Sequence, residues 1–479
     1  MYINFSISLI YMKLDLSSIM SGNSLAHEEA VGPLMDLVQR HDIKYIRLIV
    51  VDLNGQPRAV LIPEYELEYA LRHGVGFDGS SIEGFADIER SDLVANPDPS
   101  TFLIPMWEAP GIATMFCYIS NPDGSPFEGD PRGLLRATMD ELEEEGYGFN
   151  TGPELEYFYV TQQSDSIAPF GSGGYFDLPP LDPTEEIKME TMMCLEAAGF
   201  QLDKVHHETA QGQQEINFRY ADALKTADSV MLYKLAVKTI AQKHGSVATF
   251  MPKPFWGVNG SGCHVHQSLI DLETGDNLFY DPDSPRELSE AAAHYVGGIL
   301  SHAKGLSAVV SPLVNSYKRL VPHYEAPVYI CWGIGNRSTL VRIPQYPMGV
   351  SATARIEYRH PDPSCNPYLS AAAMLKAGME GVRRKTEPEE PISENVYHFS
   401  KEEMERRGVE MLPEHLGEAV DAFASDRVVT EALGSYISKN LIQLKRREFE
   451  EYLSFTGRDW AESRPEITSW EISRYLTRC

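Results

Sequence analysis

The stretch GPELEYF, residues 152–158, decides how this chain is read. Glu154 and Glu156 stand two positions apart, and Tyr157, Phe158, Tyr159 and Val160 follow. Aromatic and β-branched residues favour a strand. Side chains alternate along a strand, so both carboxylates point to one face. Two readings fit: an exposed acidic strand face, or an acidic pair among apolar flanks. The second requires compensation, which divalent cations supply well.

Similar groups recur further along. HHETAQGQQEINF (206–218) places Glu208 and Glu215 around a Gly- and Gln-rich turn. NGSGCHVHQS (259–268) places His264 and His266 on alternate residues after a glycine-rich loop. ARIEYRHPDP (354–363) puts Arg355, Glu357 and Arg359 at strand spacing. Each piece alone has an ordinary structural explanation, but together they offer carboxylates and an occasional imidazole. Such donors suit Mg²⁺ or Mn²⁺. The lack of a thiolate cluster argues against structural zinc. Arg319, Arg337, Arg342, Arg355 and Arg359 crowd residues 315–360. They could be surface ion pairs in an acidic protein. Beside a cation nest, however, guanidinium groups are what phosphoryl transfer needs. No GxxxxGK[ST] run occurs, which excludes a P-loop enzyme.

The chain has 479 residues, with 41 basic and 69 acidic side chains and a net charge of −28. That balance disfavours nucleic acid and anionic membranes as partners. It fits a heavily solvated surface and, with few lysines among the basic residues, a halophilic cytoplasm. The six cysteines are widely spread, as expected for free thiols in a reducing compartment. No run reaches the apolar length of a membrane span.

Residues 1–30 are expected to form a disordered extension. They have an apolar patch with no basic region before it, which argues against a signal peptide. IKYIRLIVVDLNGQPRAVLIP (43–63) predicts two strands around an Asn-Gly turn. FDGSSIEGF (77–85) is expected to be a loop, and a helix is expected from about Gly133 to Glu145. Long amphipathic helices are predicted over Ala221–His244 and Pro285–Val309, and a helical region from Glu414 onward. A turn cluster at 121–132 predicts a boundary between a domain at 31–128 and a larger one at 129–479.

Seen in order, FDGSSIEGF, GPELEYF, HHETAQGQQEINF, FMPKPFWGVNGSGCHVHQSL, NSYKRLVPHYEAP, NRSTLVRIP and RIEYRHPDPSCNPYLSAAAML resemble the glutamine synthetases of the bacterial and archaeal type I. The resemblance runs from about residue 40 to the C-terminus. It implies an α+β fold: an N-terminal β-grasp domain, and a larger catalytic domain with a curved antiparallel sheet flanked by helices. It also implies a cytoplasmic dodecamer of two stacked hexameric rings, with each active site between adjacent subunits. Glutamate, ammonium and ATP are the implied substrates, with two to three Mg²⁺ or Mn²⁺ ions per site. Regulation by a PII-type protein or by 2-oxoglutarate is left open.

Residue by residue, the resemblance gives one metal to Glu154, His264 and Glu357, and a second to Glu156, Glu208 and Glu215. It gives the nucleotide to His266, Ser268, Arg342 and Arg355. Arg319, with Asn259 and Gly260, would hold glutamate, and Arg337, Arg342 and Arg359 would serve the transferred phosphate. Asp78 of a neighbouring subunit would bind ammonium, with Ser81 and Tyr175 nearby. Glu325, on a mobile flap, would close the site and take the proton.

Some positions depart from the family pattern. His323 replaces a flap glycine, Cys263 replaces a methionine, and the segment between Arg342 and Arg355 runs slightly long. Asp87 stands where the glutamine-inhibited branch has an arginine. The surroundings of Tyr397 resemble the branch that is not adenylylated. Ligation of a larger amine, or a weakly active regulatory protein of the same fold, are the alternative expectations. Asp78 speaks for ammonia, and the intact set of ligands and arginines speaks for catalysis.

Overall fold

The computed structural model describes residues 26–163, 166–284, 287–345 and 347–479. Most of the expected N-terminal extension therefore lies outside the described residues. Its last five residues do not extend it. They open helix α1 (Ala26–Arg40), whose Leu34, Leu37 and Val38 are buried.

Five strands follow: β1 (Tyr45–Val51), β2 (Pro57–Pro63), β3 (Val75–Asp78), β4 (Asp92–Pro97) and β5 (Ile112–Ser120). Helix α2 (Leu67–His73) lies between β2 and β3. The sheet order is β2-β1-β5-β4-β3, with β1 and β5 parallel and the other pairs antiparallel. The β1–β2 hairpin forms at the predicted Asn-Gly turn. There Gly55 takes φ +72°, and Asp52 Oδ1 accepts from the amides of Asn54 and Gln56 at 3.0 and 2.9 Å. A side chain at residue 55 would be strained at that φ. FDGSSIEGF is less open than expected, since it completes edge strand β3 and then turns.

The larger unit begins with α3 (Pro131–Glu144), slightly earlier than predicted, because Asp130 caps the amide of Arg132 and Pro131 starts the helix. Strand β6 (Tyr147–Gln163) is the spine of the second sheet. In chain order come β7 (Ser166–Pro169), α4 (Glu185–Ala197), β8 (Leu202–His207), β9 (Gln213–Phe218), β10 (Ala221–Asp222), α5 (Ala223–Lys243), β11 (Val247–Thr249) and β12 (Cys263–Asp271). The predicted helix over Pro285–Val309 is two helices, α6 (Glu290–Ser301) and α7 (Ala303–Val310), capped by Ser289 and interrupted at His302. Then follow α8 (Ser316–Arg319), β13 (Tyr329–Ile330), β14 (Trp332–Ile334), β15 (Val341–Ile343), β16 (Ile356–Tyr358) and α9 (Pro367–Arg384). The C-terminal part holds α10 (Lys401–Arg406), β17 (Glu410–Met411), α11 (Leu416–Ser425), α12 (Arg427–Thr456), α13 (Trp460–Ser463) and α14 (Ser469–Tyr475), with α12 kinked at Gly434. The main path of the sheet is β14-β15-β16-β12-β6-β9-β8, antiparallel except for the β14–β15 pair.

The two units are joined by buried polar contacts. Arg132 bridges Asp98 and Asp228 at 2.8 and 2.9 Å, and Asn366 Nδ2 donates to Asp52 O at 3.0 Å. Breaking a buried ion pair leaves an uncompensated charge, so these contacts hold the sheets in fixed relation. Among the described residues no helix is long and apolar enough to cross a membrane.

Candidate active site

The long strand β6 presents Glu154 and Glu156 on one half-buried face, while Leu155 and Tyr157 on the other face are buried. Register does the rest. Glu154 lies opposite His264 of β12, and His266 lies opposite Glu357 of β16. Glu156 lies opposite Glu215 of β9. Neighbouring strands are about 4.8 Å apart, so same-face side chains converge.

Two clusters result. Glu154, His264 and Glu357 can each offer a donor atom within 4.8 Å of the other two. His206, Glu208 and Glu215 can do the same. Glu156 stands between the clusters. Its Oε1 is 4.0 Å from His264 Nε2, and its Oε2 accepts from Gln213 Nε2 and the Gly262 amide at 2.9 Å each. Burial raises the Glu156 carboxyl well above its usual range, and the charges of Glu208 and Glu215 add to that. Glu208 is pushed up to about 7, by burial first and then by Glu215. In the first cluster burial opposes ionisation, yet hydrogen bonds from His264 and His266 bring Glu154 well below the carboxylate range. Glu357 is likewise lowered, to about 2: burial works against ionisation, and Arg359, His266, His264 and Arg342 together outweigh it.

The second cluster thus crowds carboxyl groups that repel one another around a single imidazole, that of His206. Hard oxygen donors with single imidazoles fit a divalent cation at each cluster. The loop admits no bulk there, since a Cβ at Gly262 would meet His264 Nε2 at 2.7 Å.

Arginines wall the first cluster. Arg342 and Arg359 each bond one oxygen of Glu357. Arg355 Nε reaches His266 Nδ1 at 3.2 Å, and His266 Nε2 reaches Glu154 Oε1 at 3.2 Å. His266, expected at the nucleotide, therefore also borders the first cluster, with half-buried Ser268 two residues on along β12. Buried Arg319 donates to the carbonyls of His360 and Arg359 at 2.8 and 3.1 Å. Arg337 is exposed in the turn between β14 and β15.

Asn259 Nδ2 donates to Glu325 Oε2 at 3.1 Å. Gly260 gives its carbonyl to Gln213 Nε2 at 3.1 Å. His323 and Glu325 hold φ of +74° and +57°, and the His323 ring lies 5.7 Å from Tyr397. The Tyr397 hydroxyl donates to the Ala326 carbonyl at 2.9 Å. Tyr175 is exposed, stacked on Phe176 and 5.6 Å from the His206 ring.

Asp78 and Ser81 are not brought to the clusters of their own chain. Asp78 accepts from the Ser80 amide, Ser80 Oγ and Ser81 Oγ at 2.9, 2.7 and 2.8 Å, at the tip of edge strand β3.

His206 was not anticipated. It lies 3.4 Å from Glu208 Oε1 and 3.5 Å from Glu215 Oε1. β8 ends at His207, and it is the register of His206 with Glu215 that brings the imidazole in. Gln213, which orients Glu156, carried no signal along the chain.

Comparison with known proteins agrees with this architecture. Residues 42–122 match the model of the glutamine synthetase β-grasp domain, and residues 128–475 match that of the glutamine synthetase catalytic domain. The chain is 46% identical over 447 residues to the glutamine synthetase of Thermotoga maritima, covering 92% of this chain and 98% of that protein. It is 42% identical over 451 residues to that of Halobacterium salinarum, covering 93% and 96%. A solved structure named "GmaS/ADP complex-Conformation 1" superposes with a TM-score of 0.81 at 32% identity, covering 92% of this chain and 98% of that one. With both family models matched along the chain and relatives this similar over nearly its whole length, this chain belongs to the glutamine synthetase family, the ATP- and divalent-metal-using glutamate–ammonia ligases.

Proposed function

We propose that the protein makes L-glutamine from L-glutamate, ammonia and ATP through γ-glutamyl phosphate. The observation that carries this reading is the placement of two three-donor clusters on either side of Glu156, with Arg342 and Arg359 fixed on Glu357. A γ-carboxylate oxygen of glutamate bonds to the γ-phosphorus of ATP, the bond to the β,γ-bridging oxygen breaks, and ADP leaves. Ammonia nitrogen then bonds to the γ-carbon, the carbon–oxygen bond breaks, and phosphate leaves.

Mg²⁺ or Mn²⁺, two to three per site, would be held by Glu154, His264 and Glu357 and by Glu156, Glu208, Glu215 and His206. When bound, such ions neutralise phosphate oxygens and polarise the γ-phosphate. Arg342, Arg355, His266 and Ser268 bind the nucleotide. Arg337, Arg342 and Arg359 meet charge that develops on the phosphate. Arg319, Asn259 and Gly260 orient glutamate. Asp78, from a neighbouring subunit, binds ammonium beside Ser81 and Tyr175, and Glu325 accepts its proton. Closure by the flap keeps water from the acyl phosphate.

The same reading carries a division of the chain near residue 128, a cytoplasmic dodecamer of two hexameric rings, and adaptation of an acidic surface to salt. It carries no adenylylation of Tyr397, whose hydroxyl is engaged by Ala326. A second reading, ligation of a larger amine, is favoured by His323 in the flap and by the likeness to the structure named GmaS.

The test is glutamine formation by purified protein with Mg²⁺, ATP and glutamate in high KCl, with ammonium, methylamine or ethylamine in parallel. Ammonium-dependent glutamine with stoichiometric ADP is the expected result. Turnover only with an organic amine would replace ammonia as the acceptor. No turnover in any arm, across salt and Mn²⁺, would leave a regulatory protein.

A further inference from the structure

Lys253 lies in the loop between β11 and β12 and is fully buried. Asn315 clamps its backbone from both sides: Oδ1 accepts from the Lys253 amide at 2.7 Å, and Nδ2 donates to the Lys253 carbonyl at 2.9 Å. The same Asn315 Nδ2 donates to Glu471 Oε1 on α14 at 2.8 Å. Glu471 Oε2 accepts from Lys318 Nζ at 2.6 Å. Lys253, Asn315, Lys318 and Glu471 are all closed to solvent, so water cannot substitute for any of these bonds. The backbone of Lys253 is therefore tied through Asn315 to the C-terminal helix.

Its ammonium does something else. It donates to the Val258 carbonyl and stands 4.2 Å from the ring centroid of Tyr324. Val258 immediately precedes Asn259, and Tyr324 immediately precedes Glu325. Asn259 and Glu325 are themselves bonded at 3.1 Å. One cation thus touches the residue before each member of that pair.

Among the described residues no carboxylate pairs with Lys253. A buried ammonium lacking a counter-ion is a costly way to fill space, and a leucine or methionine would pack there without desolvating a charge. A carbonyl, the face of Tyr324 and, farther off at 5.8 Å, that of Trp256 are the groups that compensate it here. Burial, with the nearby Arg319 charge, pushes the amine down to about 7.

We propose that Lys253 is a positioning residue that ties the Val258–Asn259 loop to the Tyr324–Glu325 segment and so sets closure over the acyl phosphate. The proposal rests on the ligase reading above. Loss of the tie leaves the nucleotide and cation ligands in place but lets water compete with ammonia for the γ-carbon. The carbon–oxygen bond to phosphate still breaks, yielding glutamate and phosphate instead of glutamine.

The experiment measures phosphate released per glutamine formed by the full-length protein, with ammonium and Mg²⁺. Lys253→Met is expected to raise that ratio at least about threefold and the ammonium KM about tenfold, with Mn²⁺ affinity unchanged. Lys253→Arg keeps a cation over the ring and is expected to restore most of the coupling. Tyr324→Leu should uncouple as Lys253→Met does, Tyr324→Phe should stay coupled, and the Lys253→Met/Tyr324→Leu double variant should be no worse than either single change. If Lys253→Met does not fold, the two Tyr324 variants decide. A wild-type ratio in Lys253→Met or Tyr324→Leu, with only a lower kcat or stability, overturns the proposal while wild-type glutamine synthesis stands. If the wild type makes no glutamine, the ligase reading fails first and the proposal falls with it.

Discussion

Glu156 of β6 stands directly across the ladder from Glu215 of β9, so a half-buried and a buried carboxylate share one face. Each charge disfavours the other, and only a bound cation turns the pair from a liability into a site. Divalent cation should therefore raise the melting temperature of the wild type, by about 2.7 kcal/mol of stability at a hundred times Kd. Glu156→Gln should lose most of that increment while melting no lower than the wild type in EDTA. Differential scanning fluorimetry with EDTA, Mg²⁺ and Mn²⁺ reads both. An equal cation response in the variant would remove Glu156 from the ligand set.

Burial, with the charge of Glu215, pushes the Glu208 carboxyl up to about 7 from its ordinary 4.5. For a carboxyl raised on folding, the folded state holds the proton longer than the unfolded state. The cation-free protein thus loses stability as pH rises from about 4.5 to about 7, and the loss is complete above that window. Protons and cations compete for the same oxygens, so cation affinity should climb through the same window with proton release. Calorimetric titration with Mn²⁺ in buffers of different ionisation enthalpy measures that release. Affinity that is flat from pH 5.5 to 7.5 would contradict the assignment.

Arg359 is buried against Glu357, which is buried as well. Arg359→Met should destabilise the fold by about 3 kcal/mol, since it strips a partner from a buried carboxylate. It should also lower kcat by about a hundredfold through lost charge stabilisation. Denaturant unfolding and steady-state kinetics separate the two effects. Intact stability with normal kcat would make the pair incidental.

Asp78 is exposed at the tip of β3 and is held below the usual carboxylate range by the hydroxyls of Ser80 and Ser81. Asp78→Ala should raise the ammonium KM at least about tenfold and leave the ATP KM within about twofold. Wild-type ammonium dependence in the variant would place the acceptor pocket elsewhere.

The net charge of −28 predicts a salt response. Raising KCl from about 0.1 M to about 1 M shortens the screening length from about 10 Å to about 3 Å. Self-repulsion should weaken and the melting temperature should rise by about 4 °C or more. A flat or falling melting curve would reduce the acidic surface to ordinary solvation.

Much of this was legible along the chain because it depends on neighbours in sequence. Strand period alone set Glu154 and Glu156 on one face of β6, and the Asn-Gly turn set the β1–β2 hairpin. The cap at Asp130 went unread, so α3 begins earlier than expected: a short polar side chain satisfies an amide two residues away. The predicted helix over Pro285–Val309 failed at His302, where the chain leaves the α6–α9 packing and turns α7 onto α11, a demand that local propensity does not encode.

What only the tertiary structure decided is which groups meet. Register across β9, β6, β12 and β16 chose the partners of each glutamate, added His206 to the second cluster, and placed Glu156 between the two. Register is set by burial of whole sheet faces, a long-range quantity. The tie from Glu471 through Asn315 and Lys253 to Tyr324 was equally unreadable. Its members lie more than two hundred residues apart at the extremes, and their bonds become strong only where folding has removed the water between them.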